Sequence, residues 1–322
     1  MAARKAVDAA EPAVRLPARK QRAVSAAVLA WYRRSHRDLP WRHTRDPYAI
    51  LVSEVMLQQT QVERVLPKYL AWLSAYPSVA ALAAAPRAEV IRAWSGLGYN
   101  LRAVRLHEIA RQVEERFGGR IPDTLEGLLS LKGIGRYTAG AVLCFAYGQP
   151  APVLDTNVRR VLGRIFAAEA PSAVDDDRVA WPLAQAALPP AEDVYDWNQA
   201  LMDVGATICL SRYPRCLLCP AQEHCTARKE WFAPGQTGLS QLAEARATYT
   251  PRKPKQGKFE GSRRWYRGRI VDALRAAPEG VAPAELATRI AHDEAATREI
   301  VDGLVRDGLV ELRGDVARLP GG

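Results

Sequence analysis

Four cysteines within seventeen residues are the side chains whose spacing is most suggestive of chemistry. Cys209, Cys216, Cys219 and Cys225 follow the pattern C-x6-C-x2-C-x5-C. Four thiolates in one short segment can complete a tetrahedral sulfur site for a zinc ion or an iron–sulfur cluster. Such clustering in a chain without a secretory segment indicates metal ligation rather than disulfide bonds. Spacing alone leaves zinc and iron–sulfur both open, whereas Cys144, in an apolar run, is predicted to be a buried structural thiol.

A glycine-rich turn between two helical segments is a second candidate. Residues 131–139 read Leu-Lys-Gly-Ile-Gly-Arg-Tyr-Thr-Ala. Two glycines permit a tight turn, and the amides that open the next helix can then bind a phosphate without reading base sequence. A plain helical hairpin would have the same short pattern. The turn therefore indicates a DNA contact only together with the motifs that follow it in the sequence.

Two carboxylates accompany this turn. Glu54 lies on a segment that Pro47 opens and whose apolar residues recur every three or four positions, which places it at or near a buried face. Asp155 follows the turn, within Val-Leu-Asp-Thr-Asn-Val at residues 153–158. Two carboxyl groups are the usual machinery for breaking a glycosidic bond, one as proton donor and one as stabiliser of the sugar cation. The alternatives are a buried Glu54 satisfied by local hydrogen bonds and an Asp155 that only caps a helix.

Several short motifs together resemble a known family. They are Leu-Pro-Trp-Arg at 39–42, Ser-Glu-Val-Met-Leu-Gln-Gln-Thr-Gln-Val at 53–62, Gly-Leu-Gly-Tyr at 96–99 and Asn-Gln-Ala-Leu-Met-Asp at 198–203. With the turn and the cysteine spacing, they resemble the MutY family of adenine DNA glycosylases in the helix-hairpin-helix superfamily. The resemblance covers roughly residues 24–228. It implies a [4Fe–4S] cluster on the four cysteines and removal of adenine opposite 8-oxoguanine or guanine. Glu54 separates the chain from endonuclease III, which has no glutamate there.

The resemblance assigns roles to individual residues. Glu54 would protonate the adenine and Asp155 would stabilise the sugar cation. Asn157 would orient the substrate or water, and Tyr137 would hydrogen-bond within the carboxylate network. The pocket for a flipped base would be lined by Leu39, Trp41, Arg42, Val62 and Gln199. Duplex DNA would be contacted by Gln58, Gln59, Thr60, Leu97, Tyr99, Lys132, Gly133, Gly135, Arg136 and Tyr137.

Two of these DNA-contacting residues, Gln59 and Tyr99, are expected to wedge into the base stack beside the mispair. Aromatic core packing is the alternative for Tyr99. Tyr137 stands where endonuclease III has the lysine that forms a Schiff base. Because a phenol cannot form an imine, a monofunctional glycosylase is predicted.

The sequence departs from the family at two places. Asn100 stands where a second tyrosine often follows Tyr99. Many members also carry a C-terminal Nudix-like domain that helps to recognise 8-oxoguanine, but only 97 residues follow Cys225 here. The end of the chain instead predicts three short amphipathic helices and a strand-like ending. The sequence therefore leaves the strength of 8-oxoguanine recognition open.

The predicted organisation is mainly α-helical and has four parts. These are a flexible basic tail at 1–22, a glycosylase core with its iron–sulfur loop at 23–228, a basic linker at 229–262 and a winged-helix-like module at 263–322. The module could contact DNA, dock a repair protein or only stabilise the chain. A net charge of +10 favours a polyanionic partner, although a basic surface could also serve solubility. No apolar stretch is long enough for a membrane span and no signal sequence is evident, so a cytoplasmic, nucleoid-associated monomer is expected.

Three functions stay open at this point. The first is an adenine glycosylase acting opposite 8-oxoguanine or guanine. The second is a glycosylase for thymine or uracil mispaired with guanine, or for oxidised pyrimidines. The third is a non-catalytic iron–sulfur protein that binds DNA damage. Glu54 and Gln59 favour the first, and the presence of both carboxylates speaks against the third.

Overall fold

A computed structural model of the protein describes residues 14–167, 174–232 and 258–321. Most of the predicted tail, at 1–13, and most of the predicted linker, at 233–257, lie outside the described residues. Among the described residues, no helix is long and apolar enough to cross a membrane.

The described part is mainly helical, as the sequence predicts. Its α-helices are α1 Ala18–Ser35, α2 Pro47–Leu57, α3 Val62–Ala75, α4 Val79–Ala84, α5 Arg87–Ala93, α6 Leu101–Phe117, α7 Leu125–Leu129, α8 Arg136–Phe145, α9 Thr156–Phe166, α10 Asp177–Ala186, α11 Val194–Thr207, α12 Thr226–Trp231, α13 Arg263–Arg275, α14 Pro283–Ile290 and α15 Glu294–Arg306. Two strands, β1 Glu311–Arg313 and β2 Val316–Arg318, form an antiparallel hairpin.

The helices that matter for function begin at well-formed caps. Asp46 precedes α2, and its carboxylate accepts hydrogen bonds from the amides of Tyr48 and Ala49, while Pro47 occupies the first helical position. Asp155 caps α9 in the same way through the amide of Val158. Side-chain caps satisfy amides that a helix start leaves unpaired, and each contributes roughly 1 kcal/mol. The sequence thus fixes locally where both candidate carboxylates stand.

The chain divides into two compact units, the first formed by residues 1–38 and 143–252. Helices α1, α9, α10 and α11 surround a common apolar core that includes Val28, Leu162, Trp181 and Trp197. Cys209, Cys219 and Cys225 pack against the edge of this core. The cysteine loop is therefore built onto the helices that also carry Asp155.

The second unit comprises residues 39–142 and 253–322. Helix α2 is buried along its length from Tyr48 to Met56, including Ser53 and Glu54. Trp72 packs edge-on against Tyr76 and Trp94, with ring centroids 5.0 and 5.4 Å apart. Glu54 is thus held on a helix with its side chain embedded in the protein, in agreement with the predicted buried face.

The C-terminal part of this unit has the predicted winged-helix order of α13, α14, α15 and a β-hairpin. Residue Val281 bridges to Ala317 and extends the hairpin. The interior apolar residues, such as Val271, Leu286 and Val301, form one cluster with Ala88, Ile91 and Val104 of α5 and α6. The amide of Ala88 also donates to the carbonyl of Pro320 at 3.1 Å. The module therefore shares its core with the helices beside it.

The first helix differs from the sequence-based prediction. Helix α1 begins at Ala18, so residues 18–22 of the predicted loose tail are helical. Lys20 donates to the carbonyl of Ile165 at 2.7 Å, and Gln21 donates to that of Leu188 at 2.9 Å. A segment rich in Ala, Arg, Lys and Gln has high helix propensity, and these contacts anchor it. Composition without visible periodicity was an insufficient sign of disorder here.

Candidate functional site

Glu54 and Tyr137 meet in the second unit. The Tyr137 hydroxyl donates a hydrogen bond to Glu54 Oε2 at 2.6 Å. Glu54 is only 5% exposed, on α2, and Tyr137 lies in the first turn of α8. A buried carboxyl group needs a hydrogen-bond partner to offset its lost hydration, and the phenol supplies one. The two residues are 83 positions apart, so this contact is a product of the tertiary fold.

Four of the five predicted pocket residues belong to the same unit as Glu54. Leu39 and Trp41 are buried, and Trp41 packs edge-on against Tyr69 with ring centroids 5.4 Å apart. Arg42 ends the short 3-10 helix Pro40–Arg42, and Val62 is the first residue of α3. The fifth, Gln199, is buried on α11 in the first unit.

Asp155 and Asn157 form a second polar centre, in the first unit. Asp155 Oδ1 accepts from the amide of Val158 at 2.6 Å, and Oδ2 accepts from Asn157 Nδ2 at 3.1 Å. Asp155 is therefore a helix cap, as the alternative interpretation holds, but the cap uses one carboxylate oxygen and Asn157 holds the other. The carboxylate is fixed in orientation by two donors.

Arg160 connects this centre to the cysteine loop, and sequence reasoning did not identify it. Its Nη2 donates to Asn157 Oδ1 at 3.0 Å and to the Gly205 carbonyl at 2.7 Å. Its Nε donates to the Cys209 carbonyl at 2.8 Å. A glycine is required at position 205 because the backbone there lies close to Asn157. A Cβ at Gly205 would be 2.8 Å from Asn157 Cβ. The only signal in the sequence was the i, i+3 spacing of Asn157 and Arg160 on one helix.

The four cysteines line one cavity. Arg164, Arg228 and Trp231 share its wall. Burial raises the pKa of the Cys216 thiol to about 11 and that of Cys219 to about 12, with the neighbouring cysteines adding to the effect. Among the described residues, no three His, Cys, Asp or Glu side chains converge closely enough to hold a single metal ion.

The donor set fits a cluster with several metal atoms. Arg164 Nη1 lies 3.4 Å from Cys209 Sγ, so a cation faces the sulfurs directly. Arg164 also donates to the carbonyls of Leu210 and Ser211, at 2.7 and 2.9 Å, and so braces the loop backbone. Four sulfurs around a common cavity, with arginines beside them, offer the ligands and the counter-charge that an anionic thiolate cluster requires.

The glycine-rich turn between α7 and α8 is exposed and tightly folded. Gly133 has φ +112°, a conformation that other residues rarely adopt, and the turn leaves Lys132, Gly133, Gly135 and Arg136 exposed. Gln112 fixes the turn from α6, since its Oε1 accepts from the Lys132 amide at 2.8 Å. Helix α8 begins at Arg136, so its first amides open beside this exposed turn.

The two predicted wedge residues share an unusual backbone conformation. Gln59 has φ +57° and Tyr99 has φ +45°, and Tyr99 is 45% exposed. One buried side chain, Arg102, holds both loops. Its Nη1 donates to the Gln58 carbonyl at 2.6 Å, and its Nη2 donates to Thr60 Oγ1 at 2.9 Å and to the Gly98 carbonyl at 3.1 Å. Sequence reasoning missed Arg102, because a charged residue next to a motif gives no sign of burial.

Other polar residues of the motifs serve the scaffold. Asn198 accepts from the Val153 amide at 3.1 Å and donates to the Ala151 carbonyl at 2.9 Å, which fixes the segment leading to Asp155. Asp203 is buried and accepts from Arg37 Nε at 2.6 Å. Cys144 is buried, as its apolar surroundings predict.

Comparison with known proteins gives these features a common context. Residues 52–182 match the model of the HhH-GPD superfamily of base excision DNA repair proteins. An adenine DNA glycosylase of Mycolicibacterium smegmatis is 42% identical over 292 residues, which cover 89% of this chain and 92% of that protein. The chain belongs to the adenine DNA glycosylase family.

Further adenine DNA glycosylases match a smaller part of the chain. The human protein is 45% identical over 217 residues, covering 64% of this chain and 40% of its own length. A solved thermostable thymine-DNA glycosylase superposes with a TM-score of 0.61 at 32% identity, over 66% of this chain and 98% of the other. Endonuclease III in a trapped DNA complex reaches 0.57 at 22% identity, over 67% of this chain and 98% of that chain, and so shows the fold alone. The family and the fold class predicted from the motifs are confirmed.

Proposed function

We propose that the protein excises adenine from duplex DNA in which it is mispaired with 8-oxoguanine or guanine. The observation that carries the proposal is the buried Glu54 carboxyl group held by the Tyr137 hydroxyl at 2.6 Å. A carboxyl group kept from water and held in place by a phenol is suited to protonating a bound base. Membership of the adenine DNA glycosylase family identifies the base, since the relatives carry that name.

The reaction needs one proton donor and one stabilising anion. Glu54 gives its proton to a ring nitrogen of adenine, and the glycosidic bond electrons leave with the base. The sugar then carries positive charge, which the Asp155 carboxylate stabilises. Asn157 holds Asp155 Oδ2 and can orient the water that adds to the sugar. The proton released by that water restores Glu54 to its acid form.

The product is expected to be an intact abasic strand. Tyr137 occupies the start of α8, and its phenol cannot form an imine with the sugar aldehyde. Lys132, on the exposed turn, is assigned to a phosphate. Borohydride trapping should therefore give little covalent protein–DNA product on the normal reaction path.

The four cysteines are proposed to hold a [4Fe–4S] cluster. The four cysteines line one cavity, but no three of the described His, Cys, Asp or Glu side chains converge on a single point. A single zinc would need all four sulfurs at about 2.3 Å from one point, which favours the larger cluster. The cluster, when bound, supplies a rigid link across the loop. Arg160 and Arg164 of α9 also hold that loop, through the carbonyls of Cys209 and Leu210. Absorbance near 400 nm with iron analysis would distinguish the cluster from zinc.

One experiment tests the proposed substrate. The protein is incubated with duplexes that carry A:8-oxoguanine, A:G, T:G, U:G and thymine glycol, and abasic sites are then cleaved with alkali. Cleavage of the adenine strands alone is expected. Pyrimidine excision would instead support the second function, and the solved neighbour of 32% identity is itself a thymine-DNA glycosylase. Absence of any product with the cluster-loaded protein would favour a non-catalytic damage binder.

Glu54→Gln tests the mechanism. This variant removes the transferable proton while keeping the size of the side chain and its ability to accept from Tyr137. Excision is expected to fall below detection while duplex affinity stays within about twofold. Near-normal excision would remove Glu54 from its assigned role.

A further inference from the structure

The C-terminal module is attached to the loop that carries Tyr99. Arg275 of α13 donates through Nη2 to Asn100 Oδ1 at 2.9 Å, and through Nε and Nη2 to the Ile91 carbonyl at 3.1 and 3.0 Å. Asn100 is the residue that replaces the second tyrosine of the family motif. Its side chain thus serves as an acceptor for the module, which gives this departure from the family a structural reason.

A stack of side chains continues from that attachment to the surface. The Arg264 guanidinium lies over the Tyr99 ring, 5.9 Å from its centroid, and over the Phe259 ring at 4.9 Å. Phe259 is 55% exposed and Tyr99 is 45% exposed. Phe259 is not an isolated apolar side chain of the kind found on most surfaces, because Arg264 joins its ring to that of Tyr99. Here it adjoins the aromatic residue assigned to wedge into DNA.

The backbone around Phe259 is well defined by its own hydrogen bonds. The Ser262 hydroxyl donates to the Phe259 carbonyl at 2.6 Å and accepts from the Trp265 amide at 3.3 Å. The Ser262 amide also donates to the Phe259 carbonyl at 3.1 Å, which closes the turn. Phe259 is therefore presented by a capped turn at the start of α13. A preorganised aromatic residue loses little entropy when a ligand binds.

The charge around this turn matches a polyanion. Lys258, Arg263, Arg264 and Arg269 flank it, and Glu260 is the one acidic residue between 258 and 271. Arg267 is engaged separately, in an ion pair with Asp307. A cationic surface with an exposed aromatic ring is typical of nucleic-acid contacts, in which cations meet phosphates and rings stack on bases.

We propose that Phe259 and Arg264 extend the DNA-binding surface from Tyr99 onto the C-terminal module. Phe259 stacks on a nucleobase of the mispaired duplex beside the step that Tyr99 opens, and Arg264 binds an adjacent phosphate. This inference rests on the proposed function, since it takes Tyr99 as a DNA contact. The module then provides recognition of the mispaired duplex from residues 258–264.

The test is single-turnover excision from an A:8-oxoguanine duplex at increasing concentrations of the full-length, cluster-loaded protein. Phe259→Ala is expected to raise the half-saturating protein concentration about tenfold because a base loses its stacking partner. Arg264→Ala is expected to raise it by about the same factor because a phosphate contact is lost. The maximal rate should stay within about twofold, because neither residue is assigned to the chemistry. Phe259→Trp, which keeps an aromatic face, should restore the half-saturating concentration.

Two matched controls lie on the same module. Leu312→Ala removes another exposed apolar side chain, and Arg289→Ala removes another arginine, which pairs with Glu285 on α14. Neither should change the half-saturating concentration by more than about twofold. If Phe259→Ala and Arg264→Ala match these controls, the proposal is overturned, and a protein-docking or purely structural role for the turn replaces it.

Failure of the proposed function would give a different result. If the wild-type protein excises no adenine, a gel-shift titration with the same mispaired duplex still measures the contribution of Phe259. A loss of affinity in Phe259→Ala, compared with Leu312→Ala, would then support the surface even though the substrate assignment had failed. Arg264→Ala is expected to lose as much affinity for a fully paired duplex of the same sequence as for the mispaired one, because its contact is to phosphate. Phe259→Ala is expected to lose less affinity for the paired duplex than for the mispaired one.

Discussion

Replacing Arg102 by lysine should separate the DNA-opening step from base excision. Arg102 is 5% exposed and donates to six acceptors, which lie at the end of α2 and in the two loops that carry Gln59 and Tyr99. A guanidinium can span both loops because its two terminal nitrogens diverge, whereas an ammonium group is a single point. Lysine would keep the charge but could satisfy only one loop at a time.

The expected loss of stability follows from the acceptors left behind. Three of the five carbonyl acceptors belong to buried residues, namely Val55, Met56 and Leu97. An unsatisfied buried group costs roughly 1 kcal/mol or more, so Arg102→Lys should lower the free energy of unfolding by about 3 kcal/mol. In a chain of 322 residues, with an unfolding entropy of about 2.1 cal/mol/K per residue, that corresponds to a melting temperature roughly 4 °C lower. Arg105→Lys, at an exposed site on the same helix, should change it little.

A second measurement must show an effect of Arg102→Lys on DNA opening that a loss of folding stability alone would not produce. Gln59 and Tyr99 have positive φ angles, which cost roughly 1–3 kcal/mol each and persist only while the surroundings hold them. Without the bridge both residues should relax, and opening of the mispair should become harder. Single-turnover excision at saturating protein and low temperature should slow about tenfold for an A:G mispair, but much less for adenine opposite an abasic-site analogue. Equal slowing on both duplexes, or stability within 0.5 kcal/mol of wild type, would refute this reasoning.

Three further outcomes are expected. Tyr137→Phe removes the hydrogen bond to Glu54 and should slow excision about tenfold, which corresponds to roughly 1.4 kcal/mol. The affinity for duplex DNA should change little. An unchanged single-turnover rate would contradict this prediction. Gly205→Ala places a methyl group 2.8 Å from Asn157 Cβ, so it should reduce excision far more than it reduces the affinity for DNA; equal losses in both measurements would argue against this. Cys219→Ser should lower both the amount of bound iron and the absorbance near 400 nm. Iron analysis and a visible spectrum measure the two quantities. Full retention of both would exclude Cys219 as a ligand.

The parts of the fold that were predictable from sequence are those with local signals. The start of α2 follows from Asp46 and Pro47, and the hairpin turn follows from its two glycines. The C-terminal helices follow from their amphipathic spacing. Helix α1 was missed at its start because tertiary contacts of Lys20 and Gln21 stabilise a segment whose composition resembled a tail.

The candidate site was predictable only as a set of residue types. Glu54 and Asp155 could be named from the motifs, but the contact between Glu54 and Tyr137 spans 83 positions and depends on packing. Arg102 and Arg160 could not be found, since an arginine acquires its role from the carbonyls that the fold brings to it. Asn100 had no interpretation until Arg275 was seen beside it.

The core that α5 and α6 share with the C-terminal module limits how such a chain can be shortened or diversified. Cutting before α13 would leave Ile91 and Val104 on an open face, so a truncated protein should aggregate or loosen for reasons unrelated to DNA. The same constraint acts over evolution. A relative that exchanged this module for another domain would also have to change the residues at the positions of Ile91 and Val104, which pack against the module. The exchange of the domain and the changes at these positions should therefore be found together in its descendants.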